Sequence, residues 1–275
     1  MSSMIGSQMF HWSQYYGDRN EDVNEHLDEV FATLSEAGIG AWEDSLASEE
    51  AADRLGTLLA KFGLKLPSVY AGGVLHEDDW PKTVESMIQQ AKWAKNLGAT
   101  ILVSNPNPID WNQPIDKSDD QLRRQATALK TLTKELAGIG MTLAYHTHAP
   151  EMRQSAREFH HMLLATREEG MKFCLDFHWL YRGAGNSQVA LEDLIDMYGD
   201  RIVTTHIRQS HNGIWSETLE EGDLDYGRLA KKLKDLGYRG PLGIECAREE
   251  GTAIAPSMLE AYTASRKWVE AVFIN

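Results

Sequence analysis

The sequence predicts a closed α/β barrel, a (β/α)8 fold, in one domain spanning residues 1–275. Three observations carry this. Short apolar runs recur, and most follow a glycine that ends a helical segment. Amphipathic helical patterns fill the gaps between them. The length, 275 residues, is long for an ordinary domain and normal for a barrel of this kind. An open doubly wound sheet is the alternative. It would want a glycine-rich phosphate turn after the first strand, and "MFHWSQYYGDRN" has no G-x-G-x-x-G.

The elements follow in order. "SMIGSQMF" supplies a first strand at about 4–10. Residues 20–37 form a helix that places Val23, Leu27, Val30, Phe31 and Leu34 on one face. "EAGIGAWED" and "KFGLKLPSVY" give strands at 39–43 and 65–71. A helix at 79–97 aligns Val84, Met87, Ile88, Ala91 and Ala94. "NLGATILVS" gives a strand at 99–104, and a helix at 118–137 opens on "SDDQ", a capping box with Ser118 as cap and Gln121 three residues on. Strands at 141–146, 171–176, 201–206 and 241–246 come from "GIGMTLAYH", "EEGMKFCLD", "YGDRIVTTH" and "RGPLGIECA". Helices at 153–169, 189–198, 225–236 and 257–273 complete the set. The glycines suit left-handed helix caps. Runs without polar interruption suit parallel strands covered on both faces.

Composition narrows the function. Lys plus Arg number 27 against 41 Asp plus Glu, a formal charge of −14, which opposes nucleic acid as a partner. No stretch approaches eighteen apolar residues, so no membrane span is expected. "MSSMIGSQMFHWSQ" has neither the basic region nor the apolar core of a leader, and a cytoplasmic protein is the expectation. Cys174 and Cys246 sit in apolar runs and read as buried thiols rather than a disulfide framework.

A barrel builds its active site at the C-terminal ends of its strands. Read there, the runs deliver Trp12 after strand one, Glu43 after strand two, His146, His148 and Glu151 after strand five, Asp176, His178 and Trp179 after strand six, His206 and Arg208 from strand seven, and Glu245 from strand eight. Six of the ten histidines fall at such ends, where chance would scatter them over the helices. Four adjacent strands each ending in an imidazole or carboxylate would be costly to bury without a partner. One divalent cation serves all four. His146, Asp176, His206 and Glu245 offer a mixed nitrogen and oxygen set that suits Mn²⁺, Zn²⁺, Fe²⁺, Co²⁺ or Ni²⁺, with Mg²⁺ also admitted, better than Ca²⁺. His148 is the substitute ligand on strand five. Around this set, Glu245, Glu43 and His148 are the candidate acid/base groups. His178, Arg208, Glu151, Trp12 and Trp179 are the candidate substrate contacts; the alternatives are that His178 supports Asp176, that Glu151 is an acid at a helix start, that Arg208 neutralises the carboxylates nearby, and that the tryptophans pack.

These same residues resemble the xylose isomerase-like TIM barrels, a superfamily of sugar isomerases and epimerases, inosose dehydratases and endonuclease IV. "AYHTHAPEM" is similar to the family's "YHNHxxEF", "CLDFHWLYRGAG" to "LDxxWxxxAG", "RIVTTHIRQ" to "RVxxxHxKD", "EEGDLDYGRL" to "GEGxxDW" and "PLGIECA" to "xxxIE". The resemblance implies that Asp176, His206 and Glu245 are three of four metal ligands. The fourth is commonly a glutamate ending strand five, where this chain has His146. Arg208 and Gln209 stand where many relatives have Lys and Asp. In the family's epimerases, glutamates on strands five and eight act as an acid/base pair, and that symmetric pair is missing. The expectation is therefore a metal-dependent isomerase, epimerase or lyase acting on a sugar, keto-sugar or cyclitol through an enediolate, tilted toward dehydration or keto-glycoside elimination. The alternative is a non-catalytic sugar- or metal-binding barrel. The acidic charge argues against a DNA-repair nuclease. Assembly into a homo-oligomer is left open.

Overall fold

In the computed structural model, which describes residues 4–275, eight parallel strands close into one barrel. They are β1 (Ile5–Gln8), β2 (Ala41–Asp44), β3 (Lys65–Tyr70), β4 (Ile101–Ser104), β5 (Thr142–Tyr145), β6 (Lys172–Asp176), β7 (Ile202–Ile207) and, last, β10 (Leu242–Ile244). A two-stranded hairpin, β8 (Ser210–His211) with β9 (Ile214–Trp215), stands on the rim. The order around the barrel is β1-β10-β7-β6-β5-β4-β3-β2. Ile5 pairs with Leu242 and Gly6 with Ala41, so β1 closes the ring between the last strand and the second.

Among the described residues ten α-helices wrap it: α1 (Phe10–Gly17), α2 (Leu27–Ala37), α3 (Glu49–Phe62), α4 (Trp80–Asn96), α5 (Asp119–Gly138), α6 (Ala149–Ala165), α7 (Phe177–Gly183), α8 (Gln188–Tyr198), α9 (Tyr226–Asp235) and α10 (Met258–Val269). Side chains facing outward from the strands meet the apolar helix faces in one continuous core. Inside the barrel a small apolar plug of Ile101, Val103, Ala144 and Cys174 fills the floor.

Five expectations need correction. The first strand stops at Gln8, because Met9 already has helical dihedrals and caps α1. The helix expected at 20–37 begins only at Leu27. Before it Asp22 accepts the Asn24 amide and holds a single 3₁₀ turn. Helix α3 was not expected, although Ala52, Leu55, Leu58 and Leu59 repeat at helical spacing and bury one face. Its ends are well marked: Ser48 accepts the Ala51 amide, and Gly63 takes φ 71° as the left-handed cap. Helix α6 starts at Ala149 and is broken inside, where Gln154, Ser155 and Ala156 all take positive φ. The last strand is shorter than 241–246, so Glu245 follows β10 instead of ending it. The capping box at Ser118 and Gln121 is present, and both thiols are free and buried. No helix among the described residues is long and apolar enough to cross a membrane.

Candidate active site at the C-terminal end of the barrel

Side chains alternate along a strand, so every second residue enters the barrel. His146 follows β5, Asp176 ends β6, His206 lies in β7 opposite Asp176 and Gly243, and Glu245 follows β10. Donor atoms of these four residues all lie within 4.8 Å of one another, and all four side chains are buried. His146 Nε2 stands 3.4 Å from Asp176 Oδ2, and His206 Nδ1 stands 3.3 Å from Glu245 Oε2. None of these contacts has hydrogen-bond geometry. Both ring nitrogens of His146 and His206, with Asp176 Oδ2 and Glu245 Oε2, lack a hydrogen-bond partner among the described residues. Buried polar atoms are normally paired, and each left unpaired costs about 1–3 kcal/mol. One such atom from each of the four residues, all within 4.8 Å of one another, fits a bound divalent cation, and two imidazoles with two carboxylates are a donor set for a first-row ion.

The surroundings aim the donors. Asp176 caps α7, its Oδ1 accepting the Trp179 amide at 2.7 Å, which leaves Oδ2 for the centre. Glu43, a candidate base or substrate contact with an exposed rim carboxylate as the alternative, is buried and held from both sides. Its Oε2 accepts the Ser68 hydroxyl at 2.5 Å, and its Oε1 lies 2.9 Å from His206 Nε2. It steadies the far side of the His206 ring, as carboxylates behind metal-binding histidines do. Burial would raise its pKa, but His206 and Ser68 outweigh that and hold it below the ordinary glutamate value. Burial likewise opposes a charged His206, yet Cys174, Glu43 and Glu245 raise it well above the ordinary value. Glu245 is pushed far down: burial works against its charge, and the Arg208 and His206 charges overcome it. A glycine is required opposite His206. A Cβ on Gly243 would sit 2.7 Å from the Thr205 carbonyl oxygen and 3.2 Å from His206 Cδ2.

Arg208 lies buried across the mouth. Its Nε donates to the Glu245 carbonyl at 2.8 Å, and its Nη2 stands 3.3 Å from the Glu245 carboxylate. Its Nη1 has no partner among the described residues. The guanidinium packs 4.3 Å from the Trp215 ring centroid and 5.4 Å from that of Trp179. Trp179 also meets His148 edge-on at 5.1 Å, and Trp111 meets His148 from the other side at 5.3 Å. His148 is half-buried, with Nδ1 unpaired among the described residues. Burial first, then the His146 charge, keeps its pKa well below the ordinary value, so the ring is neutral.

Three expected substrate contacts are placed elsewhere. Trp12 lies outside the strands, stacked on Tyr262 of α10 at 5.0 Å with its Nε1 donating to Ser7. It faces outward because it sits on α1, not on a loop over the mouth. His178 has both ring nitrogens engaged: Nδ1 accepts from Trp215 Nε1 at 3.3 Å, so Nε2–H donates to the Ser210 hydroxyl at 2.9 Å. Ser210 in turn donates to Asp223 at 2.7 Å, and this chain ties α7 to the hairpin. Glu151 takes its alternative place as the helix-start acid, accepting the His148 amide at 2.8 Å in the first turn of α6. Burial and then Glu158 push its carboxyl up to about 7. Trp111 is a neighbour of the site that the sequence does not single out. Ser68 was visible as an inward position two residues before the end of β3, whereas Trp111 sits in the irregular β4–α5 loop, where no period signals direction.

The model of the xylose isomerase-like TIM barrel family matches residues 31–271. The rhizopine catabolism protein MocC of Rhizobium meliloti is 22% identical over 269 residues, covering 85% of this chain and 80% of that protein. An inosose dehydratase of Erwinia tasmaniensis is 21% identical over 217 residues, covering 70% of this chain and 72% of the enzyme. The solved structure of an L-ribulose 3-epimerase superposes with a TM-score of 0.75 at 17% identity, over 98% of this chain and 94% of that one. At that identity the structural likeness speaks for the fold.

Proposed function

Because the chain belongs to the xylose isomerase-like TIM barrel family, we propose that it is a divalent-metal-dependent lyase. Its substrate would be a ring ketone flanked by hydroxyls, a cyclitol or keto-sugar, from which it removes water. The observation that carries this reading is the convergence of four buried donor groups, His146, Asp176, His206 and Glu245, whose ligand atoms lie within 4.8 Å of one another and lack hydrogen-bond partners among the described residues. A barrel that only bound sugar would have no use for so costly a set. Similarity to an inosose dehydratase supports the substrate class.

An ion held by those four residues would polarise the ketone and a neighbouring hydroxyl, making the adjacent C–H acidic. Glu245, kept ionised by Arg208 and His206, takes that proton. As the C=C bond forms and the C–O bond breaks, the departing hydroxyl takes a proton from solvent and leaves as water, with His148, a neutral imidazole beyond β5, hydrogen-bonded to it from across the mouth. Arg208 Nη1 donates to a substrate oxygen. Trp179 and Trp215 wall the site from water and fix the guanidinium. The acid/base groups on the two sides are unlike, a carboxylate and an imidazole. That suits elimination better than the like-for-like proton exchange of an epimerase.

The test is a turnover screen of inososes and keto-sugars in deuterated solvent, reading loss of water and deuterium incorporation by mass spectrometry. Glu245→Gln should lose at least about 10²-fold in turnover, the contribution of a general base. If folded, metal-loaded Glu245→Gln turns over at the wild-type rate, the mechanism is wrong. Deuterium incorporation without loss of water would make the enzyme an epimerase or isomerase instead.

A further inference from the structure

Beneath the four donors lies a second set that shares their histidines. Cys174 comes two residues before Asp176 on β6, so its side chain points the same way, one layer deeper in the barrel. Its sulfur, a ring nitrogen of His146 and a ring nitrogen of His206 lie within 4.8 Å of one another. All three side chains are buried. Cys174 belongs to the apolar plug with Ile101, Val103 and Ala144. His206 has Nε2 2.9 Å from Glu43 Oε1 and Nδ1 3.3 Å from Glu245 Oε2, and neither histidine ring makes a hydrogen bond among the described residues, so an ion placed lower competes only with carboxylates for them.

We infer that Cys174, His146 and His206 form a second metal position below the first, one that takes thiophilic cations such as Zn²⁺, Co²⁺ and Cd²⁺. The inference rests on the metal centre proposed above and adds to it a site of different chemistry. Two imidazoles and a thiolate are a softer set than two imidazoles and two carboxylates, and they discriminate against Mg²⁺ and Mn²⁺. Three protein ligands leave a fourth place open toward the mouth. As the metal–sulfur bond forms, the thiol releases its proton to solvent, and no electron is transferred. The two positions use the same two histidines, so they exclude each other. A soft cation in the lower one withdraws both imidazoles from the upper one and competes with the ion used in catalysis.

Cobalt(II) titrated into the metal-free full chain reads both positions. The wild type should show visible ligand-field bands and, in the near ultraviolet, a thiolate-to-cobalt charge-transfer band. Cys174→Ala should keep the ligand-field bands and lose the charge-transfer band. It should also bind Cd²⁺ at least about tenfold more weakly, the minimum that losing even an outer partner of a metal costs, with Mn²⁺ binding unchanged. Cys246→Ala, which removes the other buried thiol, should keep the band. Where Cys174→Ala does not fold, the near-isosteric Cys174→Ser makes the same comparison. Ligand-field bands without a charge-transfer band in the wild type, or a band that survives Cys174→Ala, overturn the inference and leave the upper centre standing. A wild-type chain that binds no cobalt overturns both.

Discussion

Gly243 shows how tightly single residues fix the centre. Strand β10 passes so close to β7 at the height of His206 that any side chain there meets the Thr205 carbonyl at 2.7 Å. Gly243→Ala should cost about 1–3 kcal/mol by overpacking, and by displacing His206 it should weaken metal binding more than an equally destabilising change elsewhere. Urea unfolding and chelator competition measure the two effects. Asp44 gives a prediction about pH. It is buried behind the wall, accepting Trp42 Nε1 and the Ser45 amide, each at 2.7 Å. Burial, despite those donors, raises its pKa to about 6. Between the ordinary carboxylate value and about 6 the folded chain keeps a proton that the unfolded chain has lost. Stability is therefore full below that window and falls as pH rises through it, by up to about 3 kcal/mol. Asp44→Asn removes the titration, so the wild type should lose ground to it from pH 4 to pH 7 in urea midpoints. A constant gap between the two would contradict the assignment. At this scale the sequence reveals which residues reach the mouth, because strand ends can be read from apolar runs. It does not reveal how a polar group is spent once there. Glu43, His178 and Glu151 all arrive near the strand ends, and only the geometry shows each engaged: by His206 and Ser68, by Trp215 and Ser210, by the His148 amide.

Helix α6 illustrates the element scale. Its second half buries Phe159 against Tyr145, Phe173 and Tyr198, with ring centroids 5.5–6.4 Å apart. The ring is fully buried, so Phe159→Ala should cost about 3–5 kcal/mol, measured as a lower urea midpoint with little change in slope. Most elements are legible because a glycine cap and a change of period mark their ends together. Helix α3 carries the same marks, and apolar periodicity alone would have found it. The break in α6 has no such mark: Gln154, Ser155 and Ala156 are ordinary helix-tolerant residues held in left-handed conformation by what surrounds them. The helical dihedrals of Met9 are equally a tertiary outcome.

Across the whole molecule, charge and closure act together. A net charge of −14 spread over the surface is compatible with small neutral substrates and opposes polyanions. Helix α10 completes the ring of helices, Arg266 donating to the Ala37 carbonyl at the end of α2 at 2.7 Å. The eight-strand count, and hence closure, could be read from the recurrence of the runs; the position of the irregular rim could not. That rim has a consequence of its own. Asp116, in the β4–α5 loop, accepts from Arg153 Nε at 2.6 Å and Gln154 Nε2 at 2.9 Å, while Arg153 and Arg157 donate to the carbonyls of Ile115 and Lys117. The loop carrying Trp111 is thus sewn to the left-handed turn that follows His148. Neither can open to solvent alone. In hydrogen–deuterium exchange, amides of 105–118 and 148–157 should gain label at one common rate, and Asp116→Ala should split that rate in two, with the loop exchanging faster than the turn.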